Sequence, residues 1–117
     1  MIDLLQIWVE KIKINDANQV AELYHRDALL YGTFSNVERA GKELILDYFE
    51  NLFTSQIDVK IITKHEYKAE SISTVSGFYN FKLNNKKINA RFSFVFLKDK
   101  KHWKILSHHS SVLPEKN

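Results

Sequence analysis

Hydrophobic residues recur at helical spacing up to Phe53, and beyond it they recur at every second position. Leu5, Trp8 and Ile12, with Leu4 beside them, predict a helix over residues 4–14, with Asp3 as its cap. Asn15-Asp16 breaks this helix and caps a second, whose Val20, Leu23 and Tyr24 form one stripe. His25-Arg26-Asp27 ends that helix and leads into a strand at Leu29 to Phe34. Gly41 opens a third helix, where Leu44, Ile45, Tyr48, Phe49, Leu52 and Phe53 make the strongest helical stripe in the chain.

After that stripe, Val59, Ile61, Thr63, His65 and Tyr67 alternate with Lys60, Ile62, Lys64 and Glu66. Val75, Gly77, Tyr79, Phe81 and Leu83 then alternate with Ser76, Phe78, Asn80 and Lys82. Asn84-Asn85 is a hairpin signal, and Asp99 to Lys101 makes a second loop. Between these turns, Phe92, Phe94 and Phe96 share one strand face while Arg91, Ser93 and Val95 share the other. The return strand, His102 to Pro114, carries Trp103-Lys104-Ile105 and His108-His109-Ser110-Ser111. Two helices, a short strand, a helix and four long antiparallel strands predict an α+β fold with helices on one face of a curved sheet. Several strands are apolar on both faces. The second face then needs cover, most simply from another subunit, so a homodimer or higher homo-oligomer through the sheet face is expected.

Composition narrows the class. A chain of 117 residues suits one domain spanning 1–117, and 44% hydrophobic with 26% charged residues is the balance of an ordinary globular protein. No apolar run approaches the roughly 20 residues that span a bilayer, and no basic-then-apolar leader opens the sequence. The absence of cysteine excludes disulfides, thiol chemistry and cysteine–zinc sites, which fits a cytoplasmic location. The net charge of +3 is modest. Lys82, Lys86, Lys87, Lys98, Lys100, Lys101 and Lys104 fall where hairpin ends and edges collect solvated lysine, so no nucleic-acid or membrane partner is expected.

Arg91 is the sharpest chemical feature. A guanidinium lining a cavity would pair with a carboxylate or phosphate in a planar, bidentate way; the bland reading is an internal or interfacial pair. His108 and His109 are adjacent strand residues pointing to opposite faces, so they do not readily chelate one ion. His65 could join them, but no Asp or Glu cluster completes a site, and no metal is expected. Strand parity groups His109 with Ser107, Ser111 and Trp103, and His108 with Ser110 and Leu106; a bulge would exchange the sets. One histidine is expected in the cavity as proton carrier or donor, or as a structural group tied to a hydroxyl. A Ser–His nucleophile would also need an orienting acid and an oxyanion site, which nothing in the sequence visibly supplies. Tyr31, Ser35 and Tyr79 could add hydroxyls to the same cavity. The His25-Arg26-Asp27 triplet imitates a kinase catalytic loop, but no glycine-rich loop or Asp-Phe-Gly accompanies it.

Taken together, these stretches resemble the nuclear transport factor 2-like superfamily, of the SnoaL-like and DUF4440 type. The resemblance is nearest to small bacterial relatives of the association (hub) domain of calcium/calmodulin-dependent protein kinase II. It is carried by Leu23-Tyr24-His25-Arg26-Asp27-Ala28, Tyr31-Gly32-Thr33-Phe34-Ser35, Gly41 through Leu52, Gly77-Phe78-Tyr79, Ala90 through Val95, Trp103-Lys104-Ile105 and His108-His109-Ser110-Ser111 before Pro114. It implies a cystatin-like cone: three N-terminal helices over a strongly curved antiparallel sheet, with a cavity at the open end. Family members dimerise through the sheet, and kinase hubs build rings from dimers. Some hubs bind small carboxylates through pocket arginines, whose positions fall nearer Phe94 and Ser110 here than Arg91. Steroid isomerases of the superfamily use a helix-1 tyrosine and an aspartate after the first strand; Trp8 and Gly32 stand at those positions, which disfavours that mechanism.

The sequence therefore predicts an oligomerising domain with a polar pocket for a small molecule, anions included, and no cofactor. Tyr31, Ser35, Tyr79, Arg91, His108 and His109 are the candidate lining. The alternatives are a cofactor-independent acid–base enzyme of SnoaL-like type, with isomerase or cyclase chemistry using a histidine, and a purely structural oligomerisation hub.

Overall fold

A computed structural model describes residues 3–114; the ends of the expected 1–117 domain lie outside the described residues. Asp3 caps α1 (Leu4–Ile14) by accepting the Gln6 N–H, and Asn15 ends it in the left-handed conformation. Asp16 accepts the Asn18 and Gln19 N–H groups to start α2 (Ala17–Ala21), which is a single short turn. The chain continues through β1 (Tyr24–Tyr31), β2 (Arg39–Ala40) and α3 (Lys42–Leu52). It then forms β3 (Ile57–Ile61), β4 (His65–Lys68), β5 (Ile72–Leu83), β6 (Lys86–Asp99) and β7 (His102–Val112).

The strands form a seven-stranded curved sheet in the order β2-β1-β7-β6-β5-β3, with β4 also paired to β5. The sheet is mixed rather than purely antiparallel, because β1 runs parallel to β7. No tight turn joins these two strands, so nothing forces them to run in opposite directions. The expected trio of N-terminal helices is also revised. Three helices occur among the described residues, but α2 has 5 residues, and α3 follows β1 and β2.

Two boundaries moved for physical reasons. Leu23 and Tyr24 share a helical stripe in the sequence, yet Tyr24 opens β1, and the Leu23 carbonyl accepts the Ile105 N–H across the sheet. His25-Arg26-Asp27 accordingly lies within β1 and closes no helix. The alternating run from Val59 to Tyr67 is two strands, because regular pairing with β5 breaks at residues 62–64, where two successive N–H groups share one β5 carbonyl. Gly77 permits this: a Cβ there would overlap the Thr63 carbonyl, while Ile62 and Thr63 both donate N–H to the Phe78 carbonyl.

One sheet face carries the core. Trp8 and Ile12 of α1 and Ile45 and Phe49 of α3 pack with Tyr24, Tyr79, Phe92, Phe94 and Phe96, all buried. Burying one such ring contributes roughly 1.5–3 kcal/mol, so the Phe92, Phe94 and Phe96 run is a main fastening between layers. The Asn84-Asn85 hairpin is confirmed, with φ of 50° and 68°, the left-handed pair of a tight two-residue turn. In β7, Leu106 is an extra residue: Val95 pairs with Ser107 but Phe96 pairs with Ile105. That bulge turns Ile105 toward the core while keeping His108 and Ser110 on the same inner face.

Candidate functional site

The inner face holds a buried polar line among the aromatic rings. Trp8 Nε1 donates to the Tyr24 hydroxyl at 3.2 Å, and that hydroxyl lies 2.8 Å from His108 Nδ1. His108 Nε2 lies 3.2 Å from the Tyr79 hydroxyl, which donates to Ser110 Oγ at 2.5 Å. Ser110 Oγ in turn meets Thr33 Oγ1 at 2.5 Å. Since the one Tyr79 proton goes to Ser110, Nε2 carries the imidazole proton and donates it to Tyr79. Nδ1 is then the acceptor for Tyr24, and each buried hydroxyl in the line has a partner.

This geometry defines the histidine's chemistry. The His108 ring stacks on Phe94 with centroids 3.9 Å apart, and both of its nitrogens are engaged. Burial pushes its pKa down to about 3, with nearby His109 adding to the shift, so the ring is neutral. Burial also drives the Tyr24 and Tyr79 phenols well above their ordinary range. The line ends inward at Trp8, a donor that cannot accept a proton, so it is no through-route for proton transfer. The void beside it, bounded by Trp8, Gly32, Tyr48, Tyr79, His108 and Ser110, measures about 10 Å³. That is room for one water at most.

At the open end of the cone, Phe34, Ser35, Arg39, Tyr48, Asn51 and Leu83 are among the residues bounding a pocket of about 220 Å³. Arg39 is buried here and already paired, with Nη1 donating to Asp47 Oδ2 at 2.7 Å. Nε and Nη2 of Arg39 donate to Ser35 Oγ at 3.3 and 3.2 Å, and the guanidinium lies 5.8 Å from the Tyr48 ring centroid. The Tyr48 ring separates this pocket from the buried line, and burial raises its phenol to about 12.

The outer sheet face carries a larger groove of about 520 Å³, lined in part by Thr63, His65, Phe78, Arg91, His109 and Ser111. Strand pairing builds it: Arg91 sits opposite Phe78 on β5 and Ser111 on β7, and Ser93 sits opposite Ser76 and His109. Arg91 Nε donates to Ser111 Oγ at 3.4 Å, and the Ser76 and Ser93 hydroxyls are 2.9 Å apart. Among the described residues no carboxylate pairs with Arg91, and none lines the groove. At its rim, the exposed Tyr31 donates its hydroxyl to Glu38 at 2.6 Å and places its ring 5.6 Å from that of His109.

A family model for the SnoaL-like domain matches residues 2–115, nearly the whole chain. The chain belongs to the SnoaL-like family. Among solved structures, this SnoaL-like domain is similar to a candidate calcium/calmodulin-dependent protein kinase II association domain from Xanthomonas campestris. The two share 33% identity at a TM-score of 0.91, covering 97% of this chain and 85% of the other. An NTF2-like protein from Pseudomonas putida KT2440 aligns with a TM-score of 0.86 at 11% identity, over 96% of this chain and 83% of that one. A candidate ketosteroid isomerase from Parabacteroides distasonis aligns at 0.81 and 19% identity, over 93% and 84% of the two chains. At such low identity these last two establish the NTF2-like, cystatin-like fold alone. No curated protein matches at a significant level.

The six residues singled out in the sequence of this SnoaL-like domain do not share one cavity. Tyr79 and His108 stand in the buried line, Ser35 at the cone mouth, and Arg91 and His109 in the outer groove with Tyr31 at its rim. Trp8, Tyr24, Thr33 and Ser110 complete the buried line without having been singled out for it. Ser110 was within reach of sequence reasoning, because it shares strand parity with His108. Thr63, Ser76, Ser93 and Ser111 join the groove for the same kind of reason, alternation across paired strands. Among the described residues, no group of His, Asp and Glu is arranged to hold a metal ion.

Proposed function

We propose that this chain is an oligomerising binding domain whose working surface is the outer sheet face. It pairs there with a second copy and takes a small, anionic molecule in the Arg91 groove. The observation that carries this reading is the Arg91 guanidinium in a groove of about 520 Å³ that, among the described residues, is lined by no carboxylate. Such a cation, with serine hydroxyls and imidazoles around it, offers donors and positive charge to a carboxylate or phosphate. Likeness at 33% identity to a candidate association domain supports the oligomeric part of the reading.

The filled interior argues against acid–base catalysis inside the cone. His108 is neutral, engaged at both nitrogens, and beside a void of only about 10 Å³, so a substrate has no seat next to it. The experiment is a thermal-shift screen of small carboxylates and phosphates against the wild type and Arg91→Ala. Hits that stabilise the wild type and vanish in the variant support the reading. Hits that persist unchanged in the variant remove Arg91 as the anchor.

A further inference from the structure

Two adjacent donors in the pocket at the cone mouth have no acceptor among the described residues. Arg39 is 9% exposed there, and its guanidinium has five N–H groups to place. Nη1 gives its two to the Leu44 carbonyl at 3.2 Å and Asp47 Oδ2 at 2.7 Å, and Nε gives its one to Ser35 Oγ. Nη2 gives one to the same Ser35 Oγ at 3.2 Å, which leaves its second N–H unclaimed among the described residues. Ser35 Oγ also accepts the Val37 N–H at 3.1 Å, so its lone pairs are taken. Its own proton is then the second free donor, and one acceptor atom in the pocket can reach both.

Charge and shape decide what these donors take. Arg39 is the only charged side chain among the described residues lining the pocket, and Asp47 already neutralises it. An anion here is a second negative charge on one guanidinium, and its desolvation goes largely uncompensated. A neutral carbonyl oxygen has two lone pairs for the two donors and no such cost. Phe34, Leu52 and Leu83 give the pocket apolar walls, and about 220 Å³ lies below the range of drug-sized sites, which suits one small ring. We infer that the mouth pocket is a second binding site, for a small neutral carbonyl compound of the single-ring carboxamide kind. Its oxygen accepts from Arg39 Nη2 and the Ser35 hydroxyl. Asp47 is then a specificity residue, because holding Nη1 turns an anion seat into a neutral one. The site lies outside the Tyr48 seal, so the filled interior does not obstruct it, and it does not depend on Arg91.

Amide NMR titrations with benzamide, benzoate and toluene test this. Benzamide is expected to give saturable shifts at Phe34, Ser35 and Asn51, with benzoate and toluene binding at least tenfold more weakly. Leu83→Trp, which fills the pocket from a partly exposed strand position, should abolish the benzamide shifts. Asp47→Asn still accepts the Arg39 N–H but releases the guanidinium charge, so benzoate should then bind at least as tightly as benzamide. Arg91→Ala should leave benzamide binding unchanged, which separates this result from the fate of the outer groove. Benzamide shifts that are absent, or that persist in Leu83→Trp, overturn the inference. A wild type that binds benzoate as tightly as benzamide, or a preference unmoved in Asp47→Asn, overturns it as well.

Discussion

Gly32 lies against the ring of Tyr48, so closely that a Cβ at position 32 would overlap the ring and approach its hydroxyl to 2.7 Å. This contact closes the cone. Tyr48 of α3 can reach across to β1 only because position 32 has no side chain, and the ring then seals the buried line from the mouth pocket. A side chain as large as aspartate at position 32 would have no space here.

Gly32→Ala is accordingly expected to destabilise the fold by about 1–3 kcal/mol, the usual cost of overpacking. Tyr48→Ala removes the obstacle, so the two substitutions should be non-additive, with the alanine at 32 costing much less in the Tyr48→Ala background. Urea unfolding of the four proteins measures this. An equal cost in both backgrounds would show that Tyr48 is not what excludes a side chain at 32.

Stability should fall in mild acid because of His108. Burial depresses its folded pKa to about 3 from the ordinary 6.5, so the unfolded chain binds a proton that the folded chain refuses. The stabilising effect is fully present above pH 6.5 and is lost as the pH falls from there toward 3. By linkage, His108 should make the protein about 2 kcal/mol less stable at pH 5 than at pH 7. His108→Gln can still accept and donate but does not titrate. The difference between its pH 7 and pH 5 unfolding free energies should therefore shrink by that amount, and an unchanged difference would contradict a buried, neutral His108.

The line should also break at its middle. Tyr79→Phe leaves the His108 Nε2–H without its acceptor and Ser110 without its donor, both in a buried setting. A loss of about 1–3 kcal/mol is expected, with the fold retained. With the Tyr79 proton given to Ser110, the imidazole proton stays on Nε2. Nitrogen chemical shifts of the ring check that tautomer in the wild type, and a proton on Nδ1 instead would reverse the direction of the line.

Much of this architecture is legible in the sequence because it depends on local signals. Asp3 and Asn15 bound α1 by cap chemistry, Asn84-Asn85 fixes a hairpin, and Phe92, Phe94 and Phe96 alternate with Arg91, Ser93 and Val95 as a strand requires. What is not legible depends on contacts between distant segments. Tyr24 reads as the end of a helical stripe until its hydroxyl is seen between Trp8 and His108. The Leu106 bulge decides which β7 residues accompany His108 inward, and no residue type announces it. The separation of the six candidate residues has the same origin. A pocket inside the cone is a difference between the space enclosed and the rings that enter it, and Tyr48 and Tyr79 fill it here.

The central claim is that the outer sheet face is where this domain works, as a dimer interface around Arg91. Light scattering of the wild type and of Phe78→Lys in phosphate buffer tests it most directly. Phe78 is 46% exposed and lines the groove opposite Arg91, so a lysine there adds like charge to the face without entering the core. The account predicts a wild-type mass of twice 13.8 kDa and a Phe78→Lys mass of 13.8 kDa. A monomeric wild type, or a dimer that Phe78→Lys leaves intact, would contradict it.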